Sequence, residues 1–213
     1  MSDVDCFAMQ VPSPDELRQG YQEFQRREKR DAMYKTASFL VDHFWGKPAE
    51  MADSLGVLLL TWNQALYRYG SFDFDRLEKC IIKNMSLLEQ YRTRSILDYS
   101  SSDDQYISRL FREFLIALEI SDGSKAGTQS PVATAKALHL LAPAYFPLWD
   151  DKIARAYGCY YSCNPVAKYL AFMELCKQIA KTLQPAMDGQ NTGKTLLKLI
   201  DEYNYAKYTK GWV

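Results

Sequence analysis

The sequence has few of the features that most often identify an enzyme. It has only two histidines, His43 and His139, in 213 residues, and it contains no GxGxxG, GxxxxGK[ST] or GxSxG motif. Phosphate binding by a glycine-rich loop and catalysis from a nucleophile elbow are therefore unsupported. His139 lies in the apolar run ALHLL, where a core histidine bonded to a backbone carbonyl is the simpler interpretation.

Charge and cysteine content give no support to a nucleic-acid-binding, disulfide-bonded or metal-binding protein. Lys plus Arg and Asp plus Glu each total 26, so the zero formal net charge lacks the basic excess typical of nucleic-acid-binding proteins. The five cysteines are dispersed and odd in number, which favours free thiols in a reducing compartment. Cys159 and Cys163 are four residues apart, but no second Cys or His pair completes a metal site. We expect no metal and no cofactor.

No hydrophobic run is long enough to cross a membrane. The most apolar run, residues 55–60, is far shorter than the roughly 20 residues that a transmembrane helix needs. The sequence opens with MSDVDCFAMQVPSPDE, which has acidic residues where a signal peptide carries basic ones. These features predict an intracellular, cytoplasmic protein without a membrane partner, located at the nucleoid if it binds DNA.

Helical periodicity runs through most of the sequence. Ser13 is followed by proline and two acids, which is typical of a capped helix start. No alternating strand pattern and no repeat of 20 to 50 residues is present. We predict an all-α fold, a single compact multi-helix domain over residues 1–213. Its roughly eight helices comprise one or two before residue 46 and others at 48–69, 73–97, 106–120, 130–141, 149–157, 164–183 and 194–205. The apolar run 57–60 predicts that the 48–69 helix is central and buried.

Residues 130–158, SPVATAKALHLLAPAYFPLWDDKIARAYG, combine a helix, a proline-rich turn and two aspartates at the start of a second helix. Asp150 and Asp151 stand where the positive end of a helix dipole favours carboxylates, so helix capping is one explanation for them. The apolar neighbours 146–149 would partly desolvate such a carboxylate. A carboxylate of that kind can stabilise an oxocarbenium-like centre or activate a water molecule.

This arrangement resembles the helix-hairpin-helix DNA glycosylase superfamily. In those proteins a helix, a Phe-Pro or equivalent turn and an essential aspartate are followed by x-x-Val/Ile-x-Arg. The ordered matches here are Thr134-Ala135, Phe146-Pro147, Asp150, Ile153 and Arg155. A second similarity is LGVLLLTWNQA, residues 55–65, which resembles the family helix whose polar end probes the duplex beside the flipped base; Thr61, Asn63 and Gln64 are the equivalents.

The chain also departs from the family pattern. The Gly-hydrophobic-Gly hairpin that grips a phosphate is replaced by QSPVA at 129–133, and Val132 stands where lyase members have a lysine. The iron–sulfur cysteine cluster of some members is missing. The resemblance covers about thirty residues well and about ten more near Gln64.

The resemblance implies a monofunctional DNA N-glycosylase that excises a modified or damaged base in DNA repair. The base would be extruded into a pocket, while Asp150 stabilises the cationic sugar and orients the attacking water. The residues expected to bind the substrate are Trp149, Trp62, Gln64, Asn63, Tyr145 and His139. Those expected to contact the DNA backbone are Ser130, Lys136, Lys152 and Arg155.

The alternative is a non-enzymatic helical module that binds nucleic acid or protein. The aromatic and lysine residues of the tail 203–213 would suit stacking on single-stranded nucleic acid, although docking onto the core is the preferred interpretation. The basic cluster 26–30 is predicted to be a solvated helix face. The enzyme hypothesis requires Asp150 to line a concave pocket with Trp149 or Trp62 rather than cap its helix in open solvent.

Overall fold

The computed structural model describes residues 11–187 and 193–213, and the predicted all-α fold is confirmed over these ranges. Their only β-type pairing is an isolated antiparallel bridge between Phe72 and Ile120. The described chain forms ten α-helices: α1 Pro14–Arg27, α2 Ala32–His43, α3 Pro48–Trp62, α4 Gln64–Tyr67, α5 Phe74–Arg92, α6 Asp104–Ala117, α7 Pro131–Leu141, α8 Asp151–Ala156, α9 Pro165–Met187 and α10 Leu196–Asn204.

The predicted 48–69 helix is interrupted at Asn63, which is a correction to the sequence analysis. Asn63 has φ −112° and ψ 33°, outside helical geometry, and it separates α3 from the single turn α4. The break is stabilised from α7, because the Lys136 ammonium donates to the Trp62 carbonyl at 3.2 Å and to Asn63 Oδ1 at 2.7 Å. The interruption therefore joins the end of α3 to the segment with the candidate chemistry.

The central helix is α7 rather than α3. The predicted burial of α3 holds in part, because Leu58 and Leu59 are buried whereas Val57 is 60% exposed. In α7 every residue from Ala133 to Leu141 is buried except Lys136, which is partly exposed. Lys136 is therefore the one side chain of this stretch that reaches a solvent-accessible space.

Helix α10 packs closely against α1 and closes one side of the molecule. Gly20 permits this approach, since a Cβ atom at this position would lie 2.4 Å from Cδ2 of Tyr203. After α10 the chain continues into a five-residue π-helix, Tyr205–Thr209, which we call the C-terminal π turn. This turn also contacts α1 and α8, so the tail docks onto the body of the protein as predicted.

None of the described helices is both long enough and apolar enough to cross a membrane.

Candidate functional site

A cavity of about 550 Å³ lies among α1, α2, α3, α7, α8 and α10. Four residues singled out from the sequence line it: Trp62, Lys136, Trp149 and Asp150. They come from three separate parts of the chain, and the break after α3 and the turn before α8 bring them together. The volume falls in the range of roughly 300–1,000 Å³ that is common for small-molecule sites.

Asp150 both caps a helix and lines the cavity. Its Oδ1 accepts a hydrogen bond from the Ile153 amide at 2.8 Å, which is the N-cap contact of α8. Its Oδ2 accepts a hydrogen bond from the Thr209 hydroxyl at 3.3 Å. The residue is partly buried. The capping and pocket interpretations are thus not exclusive, because one carboxylate satisfies both.

Asp151 has a different environment from its neighbour. Its carboxylate forms two hydrogen bonds with the Arg155 guanidinium, at 3.0 and 3.2 Å, and its side chain is 48% exposed. It does not line the cavity. The two adjacent acids are therefore distinguishable, and Asp151 serves as an internal comparison for Asp150.

Lys136 brings a partly desolvated amine into the cavity wall. Its Nζ lies 5.3 Å from the centroid of the Trp62 ring. Burial lowers the pKa of Lys136 to about 8, although the nearby carboxylates of Asp150 and Asp201 act in the opposite direction. An ammonium has three donors, and two of them are used on the Trp62 carbonyl and Asn63 Oδ1. One N–H donor remains available to a ligand.

A second cation, Lys198, forms a charge cluster in the cavity wall. Its side chain is 4% exposed, and its Nζ lies 3.2 Å from Oδ2 of both Asp31 and Asp201. Burial alone would lower the pKa of Lys198, but the surrounding carboxylates raise it above its usual value. Glu202 lies 3.9 Å away as a third carboxylate, so the wall contains a buried lysine that stays charged near neutral pH among three acids.

The cavity wall exposes more apolar than polar surface, and its charged side chains are of both signs. Its acidic residues outnumber its basic residues by one: Glu28, Asp31, Asp150 and Asp201 against Arg30, Lys136 and Lys198. Aromatic side chains complete it, namely Phe24, Trp62, Trp149 and Tyr205. Such a wall suits a planar, hydrogen-bonding ligand better than a polyanion, because the carboxylates oppose bound negative charge.

His139 and Tyr145 lie outside the cavity, so the prediction that they bind substrate is wrong for this structure. Both are 0% exposed. The His139 Nδ1–H donates to the Phe146 carbonyl at 2.7 Å, which leaves Nε2 to accept from the Tyr34 hydroxyl at 3.1 Å. Burial lowers the pKa of His139 to about 3. The alternative interpretation, a core histidine bonded to a backbone carbonyl, is confirmed.

Tyr145 is enclosed by other aromatic and charged groups. Its ring stacks on Tyr91 with centroids 4.6 Å apart, and the Arg94 guanidinium lies 4.7 Å from its centroid. The turn at 142–147 directs Trp149 toward the cavity and Tyr145 toward α5. Tyr145 therefore packs in the core beside α5, whereas Trp149, four positions later, lines the cavity.

Asn63 and Gln64 do not line the cavity either. Asn63 is 8% exposed, and its amide oxygen accepts the hydrogen bond from Lys136. A role for Asn63 in contacting substrate is therefore wrong for this structure. Gln64 is exposed at the start of α4, beside the cavity residue Trp62, and its expected role in probing a duplex stays a prediction.

Each residue predicted to contact a DNA backbone already binds within the chain. Ser130 is 9% exposed, and its hydroxyl accepts from the Ala133 amide at 3.1 Å as the N-cap of α7. Lys152 donates to the Thr209 carbonyl at 2.9 Å, while Arg155 pairs with Asp151 and lies 3.6 Å from the Tyr160 ring centroid. Lys136 belongs to the cavity. Lys152 and Arg155 remain exposed, so the role of these residues in contacting a DNA backbone stays a prediction.

The cysteines give no sign of a metal centre in the described part of the chain. Cys159 is buried whereas Cys163 is exposed, and neither forms a disulfide within the described residues. No group of three or more His, Cys, Asp or Glu side chains in the ranges 11–187 and 193–213 is placed to hold a metal ion. Cys6 lies outside the described residues.

Several cavity residues were not identified from the sequence: Arg30, Asp31, Lys198, Asp201 and Tyr205, with Thr209 behind them. They flank the cavity only because α10 and the π turn pack beside the 28–31 loop. Asp31 has a left-handed backbone, φ 40°, at the N-cap position of α2, and an aspartate before a helix is a sequence feature that could have drawn attention to it. Lys198 and Asp201 lie in ordinary helical sequence, Arg30 lies in the same loop as Asp31, and Tyr205 and Thr209 lie in the C-terminal π turn.

Comparison of the chain with protein-family models, with curated proteins and with solved structures finds no match.

Proposed function

We propose that this protein is an N-glycosidase that releases a base from a nucleoside unit, with Asp150 as the essential carboxylate. The proposal is supported above all by one observation: Asp150 lines the 550 Å³ cavity together with Trp62, Trp149 and Lys136. The substrate class expected from the glycosylase resemblance is a modified or damaged base in DNA.

Breaking an N-glycosidic bond places positive charge on the sugar and negative charge on the departing base. A carboxylate held close to the sugar stabilises the first charge, and a correctly placed donor stabilises the second. Asp150 supplies the carboxylate. Its two hydrogen bonds fix it in position before the reaction, so little reorganisation is needed in the transition state.

Lys136 is the donor for the departing base. Lys136 lines the same cavity as Asp150 and keeps one N–H donor that its hydrogen bonds within the chain do not use. Its pKa of about 8 suits proton donation near neutral pH. Trp62 in the same wall is partly exposed and offers aromatic surface to a planar base. Trp149 is 1% exposed and packs against Tyr169 and Phe172, so it supports this wall from behind. Cleavage with water as the nucleophile requires no covalent attachment to the protein, and Asp150 orients that water.

The test is excision from duplex oligonucleotides that each carry one alkylated, deaminated or oxidised base, followed by alkaline cleavage of abasic sites. We expect the wild-type protein to excise at least one base and Asp150→Asn to be about 100-fold slower or worse. Asparagine is also a good N-cap residue, so the variant retains α8. Asp151→Asn is the matched control and should stay within about twofold of wild type.

Free nucleosides are assayed in parallel by chromatography of the released base. This arm matters because Lys152 and Arg155, expected to hold DNA, are bound within the chain. Undiminished excision by Asp150→Asn would refute its assignment. If wild type releases no base from either substrate but shows salt-dependent DNA binding that Asp150→Asn retains, the non-enzymatic binding module is the better function.

A further inference from the structure

The C-terminal π turn lies directly behind the Asp150 carboxylate. It follows α10 without a break. Two backbone hydrogen bonds that span more residues than those of an α-helix hold it, from the Lys210 amide to the Tyr205 carbonyl at 3.0 Å and from the Trp212 amide to the Ala206 carbonyl at 2.8 Å. Segments of π-helix are rare and occur often at functional sites. The wider turn displaces residue 209 from where an α-helix would place it.

Thr209 makes two contacts with the first turn of α8. Its hydroxyl donates to Asp150 Oδ2 at 3.3 Å, and its carbonyl accepts from Lys152 Nζ at 2.9 Å. Asp150 Oδ1 is already held by the Ile153 amide. Both oxygens of the carboxylate are therefore bound, one by its own helix and one by a residue 59 positions later.

The π turn itself is anchored on both sides. Tyr157, the C-cap of α8, donates to Oδ1 of Asn204, the last residue of α10, at 2.6 Å, and its ring meets Tyr208 of the turn edge-on at 5.2 Å. On the α1 side, the Arg27 guanidinium lies 5.0 Å from the Trp212 ring centroid. The turn is thus part of the packed structure, and Tyr205 within it lines the cavity.

We propose that the C-terminal π turn positions the Asp150 carboxylate, with Thr209 as the positioning residue. An N-cap bond to one oxygen leaves the carboxylate free to rotate about its Cβ–Cγ bond. The Thr209 hydroxyl removes that freedom by holding the second oxygen. Reacting groups act well only when held within roughly 10–20° of their productive orientation, so loss of this contact lowers the rate of reaction. The catalytic part of this inference rests on the proposed N-glycosidase function.

The first test needs no activity. In the full-length protein labelled with ¹³C, the Asp150 carboxyl carbon resonance is compared at pH 7 among wild type, Thr209→Val and Thr209→Ser. Valine keeps the branched shape without the donor, whereas serine keeps the donor. We expect the resonance to move in Thr209→Val and to return toward its wild-type position in Thr209→Ser. Melting temperatures within about 4 °C of wild type confirm that the variants fold. An unmoved resonance in Thr209→Val would overturn the proposal.

The second test measures single-turnover excision on the duplex that wild type cleaves best. Thr209→Val should lower the rate constant about three- to tenfold with duplex affinity within about twofold, and Thr209→Ser should restore the rate. A merely structural contact would not give this split and rescue. Wild-type excision rates in Thr209→Val, despite a moved resonance, would overturn the positioning role.

The two tests separate this proposal from the N-glycosidase function. If wild type excises no base while the resonance moves in Thr209→Val and returns in Thr209→Ser, the N-glycosidase function fails. The same result supports the inference that the π turn orients Asp150.

Discussion

Removing the Lys136 amine tests the electrostatics of the cavity without assuming any activity. The perturbation is Lys136→Met, which replaces the ammonium by an apolar side chain of similar length. In the folded protein burial lowers the pKa of Lys136 to about 8, against 10.5 for an ordinary lysine. Between these values the folded chain has released a proton that the unfolded chain still holds.

The sign of the effect follows from proton linkage. The free energy of unfolding rises with pH wherever the unfolded state binds more protons than the folded state. Lys136 therefore destabilises the fold most below pH 8, and this penalty disappears as the pH rises toward 10.5. A full shift of this size corresponds to about 3 kcal/mol, and the part released between pH 7.5 and 9.5 is about 2 kcal/mol.

The assay is urea unfolding of wild type and Lys136→Met at pH 7.5, 8.5 and 9.5, compared as a difference so that other titrating groups cancel. From pH 7.5 to 9.5, the free energy of unfolding of the wild type should rise by about 2 kcal/mol relative to that of Lys136→Met. Lys136→Arg is a second reference, because arginine keeps donors for Trp62 and Asn63 yet stays charged throughout. The free energy of unfolding of Lys136→Arg will differ from that of Lys136→Met. The difference between wild type and either variant should nevertheless change with pH by the same amount.

Difference curves that are flat from pH 7.5 to 9.5 for both variants would refute the reasoning, since they would show that the Lys136 amine is fully hydrated in solution. Should excision be detected, the same pKa predicts that wild-type activity falls above about pH 8, as the donor for the departing base loses its proton.

Two further predictions concern the packing around the site. Burial lowers the pKa of His139 to about 3, so acidification below pH 6.5 favours the unfolded state, which binds the proton. Relative to His139→Asn, urea unfolding of wild type should lose up to about 3 kcal/mol between pH 6.5 and 4; a constant difference would contradict this. Gly20→Ala should destabilise the protein by about 1–3 kcal/mol in thermal unfolding, because the added Cβ meets Tyr203 at 2.4 Å. Gln22→Ala on the exposed side of α1 is the control, and equal melting temperatures for the two variants would show that α1 and α10 separate readily.

Local sequence was sufficient for most of the helical architecture. The proline after Ser13 and the 130–131 Ser-Pro pair both start helices where predicted, and both serines accept the expected N-cap hydrogen bond. These signals depend on residues within one turn of each other, so no tertiary information is needed to interpret them. The same locality explains why Asp150 was correctly placed at the start of α8.

The errors arise where the outcome depends on a distant partner. Asn63 is a modest helix residue that α3 would tolerate, yet Lys136, 73 positions later, binds both the Asn63 side chain and the Trp62 carbonyl that the break releases. Val57 belongs to an apolar run, but a helix packed on one side leaves part of any such run exposed. Trp149 and Tyr145 are equally aromatic, and only the geometry of the turn between them decides which one reaches the cavity.

The site itself could be predicted only in part. Residues 136, 149 and 150 lie within one segment and share a recognisable pattern, whereas Asp31 and Lys198 are separated by 167 positions and no local feature connects them. Their contact, 3.2 Å between Lys198 Nζ and Asp31 Oδ2, exists only because α10 packs beside the loop before α2. A pattern confined to one segment identifies one wall of a cavity and leaves the opposite wall unknown.

That opposite wall bears on function through its cost to stability. A buried ion pair seldom stabilises a fold more than apolar side chains of the same size would, because both charges lose their hydration. Lys198 is nonetheless buried between Asp31 and Asp201, and all three line the cavity rather than the interior of the core. Stability alone does not account for a charged cluster at that position. Under the proposed N-glycosidase function, fixed charges in a partly desolvated wall would orient the polar substrate with little reorganisation. The candidate cavity is therefore lined by two charged groups, Asp150 with Lys136 and Lys198 with Asp31 and Asp201.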